Sequence, residues 1–204
     1  MAKIRARTLF RKGVWEENPV FRQILGICSA LAVTNLMTNT LIMGLGLIFV
    51  TAMSSATVSA LRKMTPERIR MMVQVLIIAS YVMMVDIVLK AYLPDISEAL
   101  GPYVGLIITN CIIMGRCEGF ARNNAVWPAF LDGVASGVGY ALVLLVIATV
   151  RELLGFGTLF GVHVMPSGWV PWTIMIMAPA GFFMLAAFIW IAYVLEHKKS
   201  ASKS

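Results

Sequence analysis

The expected architecture rests on two short apolar stretches, LGICSALAVTN at Leu25–Asn35 and VGLIITNCIIMG at Val104–Gly115. Each stretch carries one cysteine, Cys28 in the first and Cys111 in the second. At about 1.5 Å per helical residue, either stretch spans about half of the ~30 Å hydrocarbon core of a bilayer. Short apolar segments at corresponding places in two halves of a chain point to a functional site near the bilayer midplane. We therefore expect both thiols at that depth.

The composition is that of an integral membrane protein. Hydrophobic residues make up 59% of the 204 residues and charged residues 13%, whereas soluble domains contain about 25% charged residues. The length predicts a single membrane domain, residues 1–204. The basic start leads into the first apolar stretch without a small-residue cleavage site, so no cleavable signal peptide is expected. The net charge of +7 is distributed in a way that indicates lipid and not nucleic acid as its partner.

Four longer apolar stretches complete the pattern. They are Thr40–Leu61, Arg70–Leu93, Phe130–Val150 and Trp172–Val194. With the two short ones the order is short, long, long, then short, long, long, which predicts an all-α protein with six transmembrane segments in two three-helix repeats. The predicted parts are a basic N-terminal segment 1–17, a first repeat at about 18–95, a second repeat at about 100–195 and a tail 196–204.

The basic residues predict the orientation of these spans. Of the 17 lysines and arginines, all but Lys90 and Arg151 fall on one side if the N-terminus is cytoplasmic, as positively charged loops require. The predicted cytoplasmic set is Lys3, Arg5, Arg7, Arg11, Lys12, Arg22, Arg62, Lys63, Arg68, Arg70, Arg116, Arg122, Lys198, Lys199 and Lys203. Both termini are then cytoplasmic. Three spans per repeat make the repeats inverted, with a two-fold axis in the membrane plane.

The cysteines are the first candidates for chemistry. An odd total of three argues against a disulfide framework. A lone membrane cysteine is usually a packing residue, but the symmetric placement of Cys28 and Cys111 makes a metal site an equal alternative. A thiolate buried in lipid requires a neutralising cation, and iron or zinc bound by sulfur normally takes four thiolates. The chain offers two, so a partner or a second copy must supply the others; Cys117, near the cytoplasmic surface, is taken as incidental.

Two intramembrane carboxylates are the second set of candidates. Asp86 lies inside the third predicted span and Asp132 near the start of the fifth. Such residues are functional-site hypotheses, here for the passage of a cation. The plainer alternative for Asp86 is an i,i+4 pair with Lys90. Asp132 is expected close to the membrane interface, where a charge costs little.

Small and polar residues predict contacts between helices. Gly133–Gly137 forms a G-x-x-x-G motif, which is typical of a helix packing seam. Candidates for hydrogen bonds between helices are Gln74, Thr109 and Asn110. Arg151–Glu152 are expected to mark the outer end of the fifth span, and the glycines after them to form turns. The sequence contains no nucleotide-binding loop, histidine-rich metal motif or nucleophile elbow, so the chain is not expected to be catalytic alone.

Long motifs carry a resemblance to a known family. They are GICSALAVT, VQVLIIASYVMMVD, VGLIITNCIIMGR, FLDGVASGVGY and VRELLGFGTLFGV. From about Asn18 to Tyr193 the chain closely resembles the D-subunit family of sodium-translocating NADH:quinone oxidoreductases. Its superfamily includes the E subunit of that enzyme and the A and E subunits of the Rnf complex. Ser29 stands where Rnf E relatives usually have proline, which favours the quinone reductase branch, and family members usually have alanine in place of Cys117.

The resemblance implies a function. The D and E subunits of this family pair and contribute two cysteines each to one 2Fe–2S centre inside the bacterial inner membrane, and the matching ligands here are Cys28 and Cys111. NADH, FAD, FMN, riboflavin and ubiquinone belong to the A, B, C and F subunits, and Na+ leaves the cell as electrons pass. The chain would thus be one part of a multisubunit translocase.

Other interpretations stay open at the level of the sequence. The nearest is the equivalent E subunit of an Rnf ferredoxin:NAD+ oxidoreductase. From another class, inverted repeats with interrupted helices also suit a secondary transporter without a redox role. A third interpretation is a passive scaffold whose thiols bind no metal.

Overall fold

The computed structural model of the chain describes residues 25–34, 36–92, 101, 105–159, 162–163, 172 and 177–201. The predicted N-terminal segment 1–17, residues 93–100 near the end of the first predicted repeat and the last residues of the predicted tail lie outside these ranges. The two short apolar stretches are described in large part.

Helices make up almost all of the described chain. They are α1 (Ile27–Val33), α2 (Met37–Leu61), α3 (Arg70–Tyr92), α4 (Cys111–Arg116), α5 (Val126–Gly155) and α6 (Ala178–Ala201). A 3-10 turn at Glu67–Ile69 precedes α3, and a π-helical segment, Cys117–Ala121, follows α4. The all-helical prediction is confirmed except for a two-stranded hairpin, in which Thr158–Leu159 pairs antiparallel with Val162–His163. The sequence predicts only turns there.

The long apolar stretches become long helices. Within the part of the chain that the structure describes, three segments are long and apolar enough to cross a membrane, Met37–Leu61, Glu67–Tyr92 and Val126–Gly155. Helix α5 extends beyond the predicted span at both ends and, at about 1.5 Å per residue, is ~45 Å long. Helix α6 begins at Ala178 and not at Trp172, and its apolar part, Pro179–Ile191, is shorter.

Helices α2 and α5 pack against each other as a close antiparallel pair. Three approaches join them, Gly44 to Ala141, Gly137 to Ile48 and Gly133 to Ala52, so the two helices run in opposite directions. A methyl group on Gly133 would lie 2.9 Å from the Ala52 Cα, a distance that no side chain tolerates. The G-x-x-x-G motif is therefore the predicted packing seam.

The two short helices, α1 and α4, begin near the middle of α5 and run toward its opposite ends. At the start of α1, the Gly26 carbonyl accepts a hydrogen bond from Tyr140, midway along α5; at its end, Thr34 accepts one from Arg151. At the other half-helix, Arg116 at the end of α4 pairs with Asp132 near the start of α5. Helix α1 therefore runs parallel to α5, and α4 runs antiparallel to it.

The basic loops lie together at one end of the helices. Arg62 donates to the Asn124 carbonyl at 2.9 Å, and Arg70 pairs with Glu118 at 2.6 Å. These contacts bring the connection between α2 and α3 against the segment that precedes α5. The basic residues of these two loops thus lie together at one end of the helices.

Candidate functional site

The site consists of the first turns of the two half-helices. Cys28 is the second residue of α1, and Cys111 is the first residue of α4. Asn110 caps α4, since its side-chain oxygen accepts a hydrogen bond from the Ile112 N–H at 3.1 Å. At a helix N-terminus the first backbone N–H groups have no partner within the helix, and the dipole favours negative charge. Both thiols thus lie in the first turn of a short helix.

A direct hydrogen bond joins the two turns. The backbone N–H of Gly26, two residues before Cys28, donates to the Cys111 Sγ at 2.8 Å. Gly26 has a left-handed backbone, with φ of 84°, which L residues other than glycine rarely adopt. An added Cβ would also lie 2.8 Å from the Tyr140 ring. Glycine is therefore required where the two cysteine-bearing turns meet.

Buried polar side chains hold this junction together. Tyr140 Oη donates to the Gly26 carbonyl at 2.8 Å and lies 2.6 Å from Ser29 Oγ. Asn110 Nδ2 donates to Ser29 Oγ at 3.0 Å. Tyr140, Ser29 and Asn110 are all buried. One network thus ties both half-helix starts to the midpoint of α5.

The two thiols of the junction are accessible on the surface of this chain, whereas the third cysteine is not. Cys28 is exposed, Cys111 is half-buried and Cys117 is buried. The Cys117 sulfur lies 4.0 Å from Ser55 Oγ in the core between α2 and the π-helical segment, which fits a packing role.

The donor set at the junction fits half of a sulfur-ligated metal site. Within the described ranges, no three His, Cys, Asp or Glu side chains come close enough to hold a metal ion. Two accessible thiols, each at a helix N-terminus, match the softness of iron in a cluster. Four sulfur ligands are the usual number, so the remaining two would come from another chain.

Asp132, expected close to the membrane interface, is buried inside the protein. It is buried with Arg116, whose Nε donates to Asp132 Oδ2 at 2.9 Å. A second contact joins Arg116 Nη2 to Asp132 Oδ1, so the guanidinium binds the carboxylate through two nitrogens. Arg116, predicted among the cytoplasmic loop charges, is buried as well. The sequence shows the position of each charge along the chain but not its partner in space.

Asp86 forms the plainer contact that its spacing indicates. Lys90 Nζ donates to Asp86 Oδ2 at 2.6 Å, one turn along α3. The Asp86–Lys90 pair is more exposed than the Asp132–Arg116 pair, since the Lys90 side chain is 63% exposed. Within the described residues, Asp86 contacts neither Asp132 nor any of the cysteines.

Arg151 and Glu152 are part of the interior and do not merely mark the end of a span. Arg151 Nη1 donates to Thr34 Oγ1 at 2.6 Å, at the end of α1. Glu152 Oε2 accepts the N–H of Met37, the first residue of α2, at 2.7 Å. Both charged residues are buried. The cation thus lies at a helix C-terminus and the anion at a helix N-terminus, as the helix dipoles favour.

Sequence reasoning missed Tyr140 as a site residue. Its signal is a single hydroxyl-bearing aromatic residue midway along an apolar run, GVGYALV. A buried tyrosine hydroxyl normally finds a hydrogen-bond partner, and in a lipid environment that partner must come from the protein. Of the predicted inter-helix donors, Asn110 and Gln74 form such bonds, the latter to Glu118 Oε2 at 2.9 Å.

Comparison with known proteins gives concordant matches. A family model described as "Rnf-Nqr subunit, membrane protein" matches residues 6–189. A protein of Chlamydia felis is 45% identical over 95% of this chain and 96% of its own length, and one of Photobacterium profundum is 47% identical over 92% of each. A third, from Chlamydia pneumoniae, is 46% identical over 95% of each chain. All three are named as the D subunit of a Na(+)-translocating NADH-quinone reductase, and they confirm the resemblance found in the motifs.

Proposed function

Because the chain belongs to the Rnf-Nqr family of membrane subunits, we propose that it is the D subunit of a sodium-translocating NADH:quinone oxidoreductase in a bacterial inner membrane. The names of its relatives support this branch over the equivalent subunit of an Rnf complex. The chain is not catalytic alone: NADH, FAD, FMN, riboflavin and ubiquinone bind to the A, B, C and F subunits.

The proposed role of the chain is to hold half of an iron centre. Cys28 and Cys111 would each bind iron of a 2Fe–2S cluster, and the homologous E subunit would supply the other two thiolates. When bound, the cluster would accept and release one electron at a time. The observation that carries this proposal is the Gly26–Cys111 hydrogen bond, since it brings together two thiol-bearing helix starts that lie far apart in the sequence.

The depth of the junction supports a role in electron transfer across the membrane. Tyr140, to which both half-helix starts are tied, lies midway along α5 (Val126–Gly155). A relay at that depth divides the ~30 Å hydrocarbon layer into two shorter steps, whereas tunnelling across the whole layer is too slow for turnover. The protein contributes the burial, the helix dipoles and the N–H donor to sulfur that adjust the potential of such a centre.

The arrangement of helices supports six spans in two inverted repeats. Corresponding helices of inverted repeats run antiparallel, as α2 and α5 do, and the corresponding half-helices α1 and α4 diverge from the middle toward opposite ends. The clustered basic loops support a cytoplasmic location for that end and for both termini.

Asp86 and Asp132 remain the candidates for a sodium route in this subunit. Each carboxylate has a basic partner, Lys90 and Arg116 respectively. Passage of Na+ along either one therefore requires that the ammonium or guanidinium group move away from the carboxylate.

Cysteine variants of the intact complex test the proposal. We expect Cys28→Ala and Cys111→Ala each to lose the paramagnetic signal of the centre and its iron. Quinone reduction should fall by about 100-fold or more, since loss of an outer partner of a metal ligand already costs about 10–100-fold. NADH oxidation by an artificial acceptor should persist, because its site lies on another subunit.

Cys117→Ala is the matched control, since it removes a third thiol from the same chain and should leave iron and activity unchanged. Normal iron in both Cys28→Ala and Cys111→Ala would contradict the proposal. Normal iron with an altered flux of a small substrate would instead support a secondary transporter.

A further inference from the structure

We infer that Tyr140 is a positioning residue that aims the Gly26 N–H at the Cys111 sulfur and thereby raises the reduction potential of the centre held there. The inference rests on the proposed function, because it concerns the iron site formed by Cys28 and Cys111. Neither the family match nor the names of the relatives assign a role to Tyr140.

The first step is the fixation of the Gly26 carbonyl. Tyr140 Oη donates to this oxygen at 2.8 Å, and Ser29 Oγ lies 3.2 Å from it. Both hydroxyl-bearing side chains are buried, so solvent does not replace either contact. The Ala30 N–H also donates to this oxygen at 3.2 Å. Because glycine has little conformational restraint of its own, these three contacts together decide how the residue is oriented.

The second step is the direction of the Gly26 N–H. With the carbonyl held by α5 and the backbone at φ of 84°, the N–H points to Cys111 Sγ at 2.8 Å. The hydrogen bond crosses from the Cys28 turn to the Cys111 turn. Loss of the Tyr140 contact, the shortest of the three, weakens the hold on the carbonyl and lets the flexible glycine turn its N–H away from the sulfur.

The third step concerns the electron. Hydrogen bonds to cluster sulfurs are among the factors that set the potential of an iron–sulfur centre. A donor stabilises the more negative form, since hydrogen bonds to charged acceptors are stronger than those to neutral ones. Reduction adds one negative charge, so the Gly26 N–H favours the reduced state. Its loss lowers the potential.

The test is Tyr140→Phe in the full complex. The substitution keeps the ring and removes only the hydroxyl group. We expect iron content to stay at the wild-type level while a redox titration followed by electron paramagnetic resonance shows a lower midpoint potential. Quinone reduction should fall by about 10-fold, at the mild end of what the loss of outer partners of a metal ligand costs.

Tyr81→Phe is the matched control. Tyr81 Oη lies 2.8 Å from Thr57 Oγ1, between α3 and α2, and its loss should leave the midpoint potential unchanged. Ser29→Ala is a second variant, which removes the other hydroxyl at the Gly26 carbonyl. We expect it to shift the potential in the same direction by less, and it carries the test if the Tyr140 variant does not assemble.

The outcomes separate the two proposals. A wild-type potential in both Tyr140→Phe and Ser29→Ala, with iron present, overturns the positioning role and leaves the proposed function standing. A wild-type complex that contains no iron dependent on Cys111 overturns both. An equal shift in Tyr81→Phe also overturns the positioning role, because the effect would then be a general one.

Discussion

At the scale of single residues, the site depends on groups whose partners lie far away in sequence. The Gly26 N–H donates to Cys111, and the Gly26 carbonyl accepts a hydrogen bond from Tyr140. Only glycine allows both contacts. Asp132 and Arg116 form a second junction of this kind. Neither pairing could be predicted from the sequence, because spacing along a helix identifies neighbours only within three or four residues.

Asp132→Asn tests whether that buried pair stabilises the subunit. The substitution keeps the size of the side chain but leaves the buried Arg116 guanidinium without its carboxylate. Breaking a buried ion pair in this way costs about 3–5 kcal/mol, so we expect a lower thermal midpoint of the purified complex and a smaller yield.

Asp86→Asn provides the comparison, because its pair with Lys90 is more open and exposed pairs are worth only ~0–1 kcal/mol. A wild-type thermal midpoint for Asp132→Asn, together with a weaker dependence of turnover on Na+, would instead place Asp132 in the sodium route.

At the scale of elements, the reversal between α1 and α2 is held by two adjacent charges on α5. Arg151 binds the end of α1, and Glu152 binds the first N–H of α2. Apolar run lengths predict the long helices well, since a bilayer sets their minimum length. The run lengths do not predict these two contacts of Arg151 and Glu152, which together form a clamp on the α1–α2 reversal. A charged pair at the end of an apolar run is equally typical of a helix that simply leaves the membrane.

Glu152→Ala is expected to loosen the α1–α2 reversal. Removing the acceptor leaves the Met37 N–H without its bond to Glu152, at a cost of about 1–3 kcal/mol. Glu152→Gln is the matched control, since its amide oxygen can still accept that hydrogen bond. We expect a lower thermal midpoint and reduced iron content for the alanine variant and values near the wild type for the glutamine variant.

The amount of bound iron separates the possible outcomes for Glu152. Equal losses in the alanine and glutamine variants would show that the carboxylate charge matters and the hydrogen bond does not. Wild-type iron and stability in both variants would contradict the clamp.

At the scale of the whole molecule, the sequence predicts where the long apolar helices lie better than it predicts the contacts between them. Within the described ranges, a short helix is followed by two longer ones in α1, α2 and α3 and again in α4, α5 and α6. The symmetry of the two halves predicts that Cys28 and Cys111 lie at the same depth. It does not predict the buried hydroxyl network around Tyr140, since that network depends on three segments that only the folded chain brings together.

A density map of the purified intact complex tests this interpretation most directly. We expect metal density between Cys28 and Cys111 of this chain and two thiolates of the homologous partner, midway along α5, with α1 and α4 diverging from it. A map in which the two cysteines lie far apart, or in which uninterrupted helices carry them with no metal between their sulfurs, would contradict it.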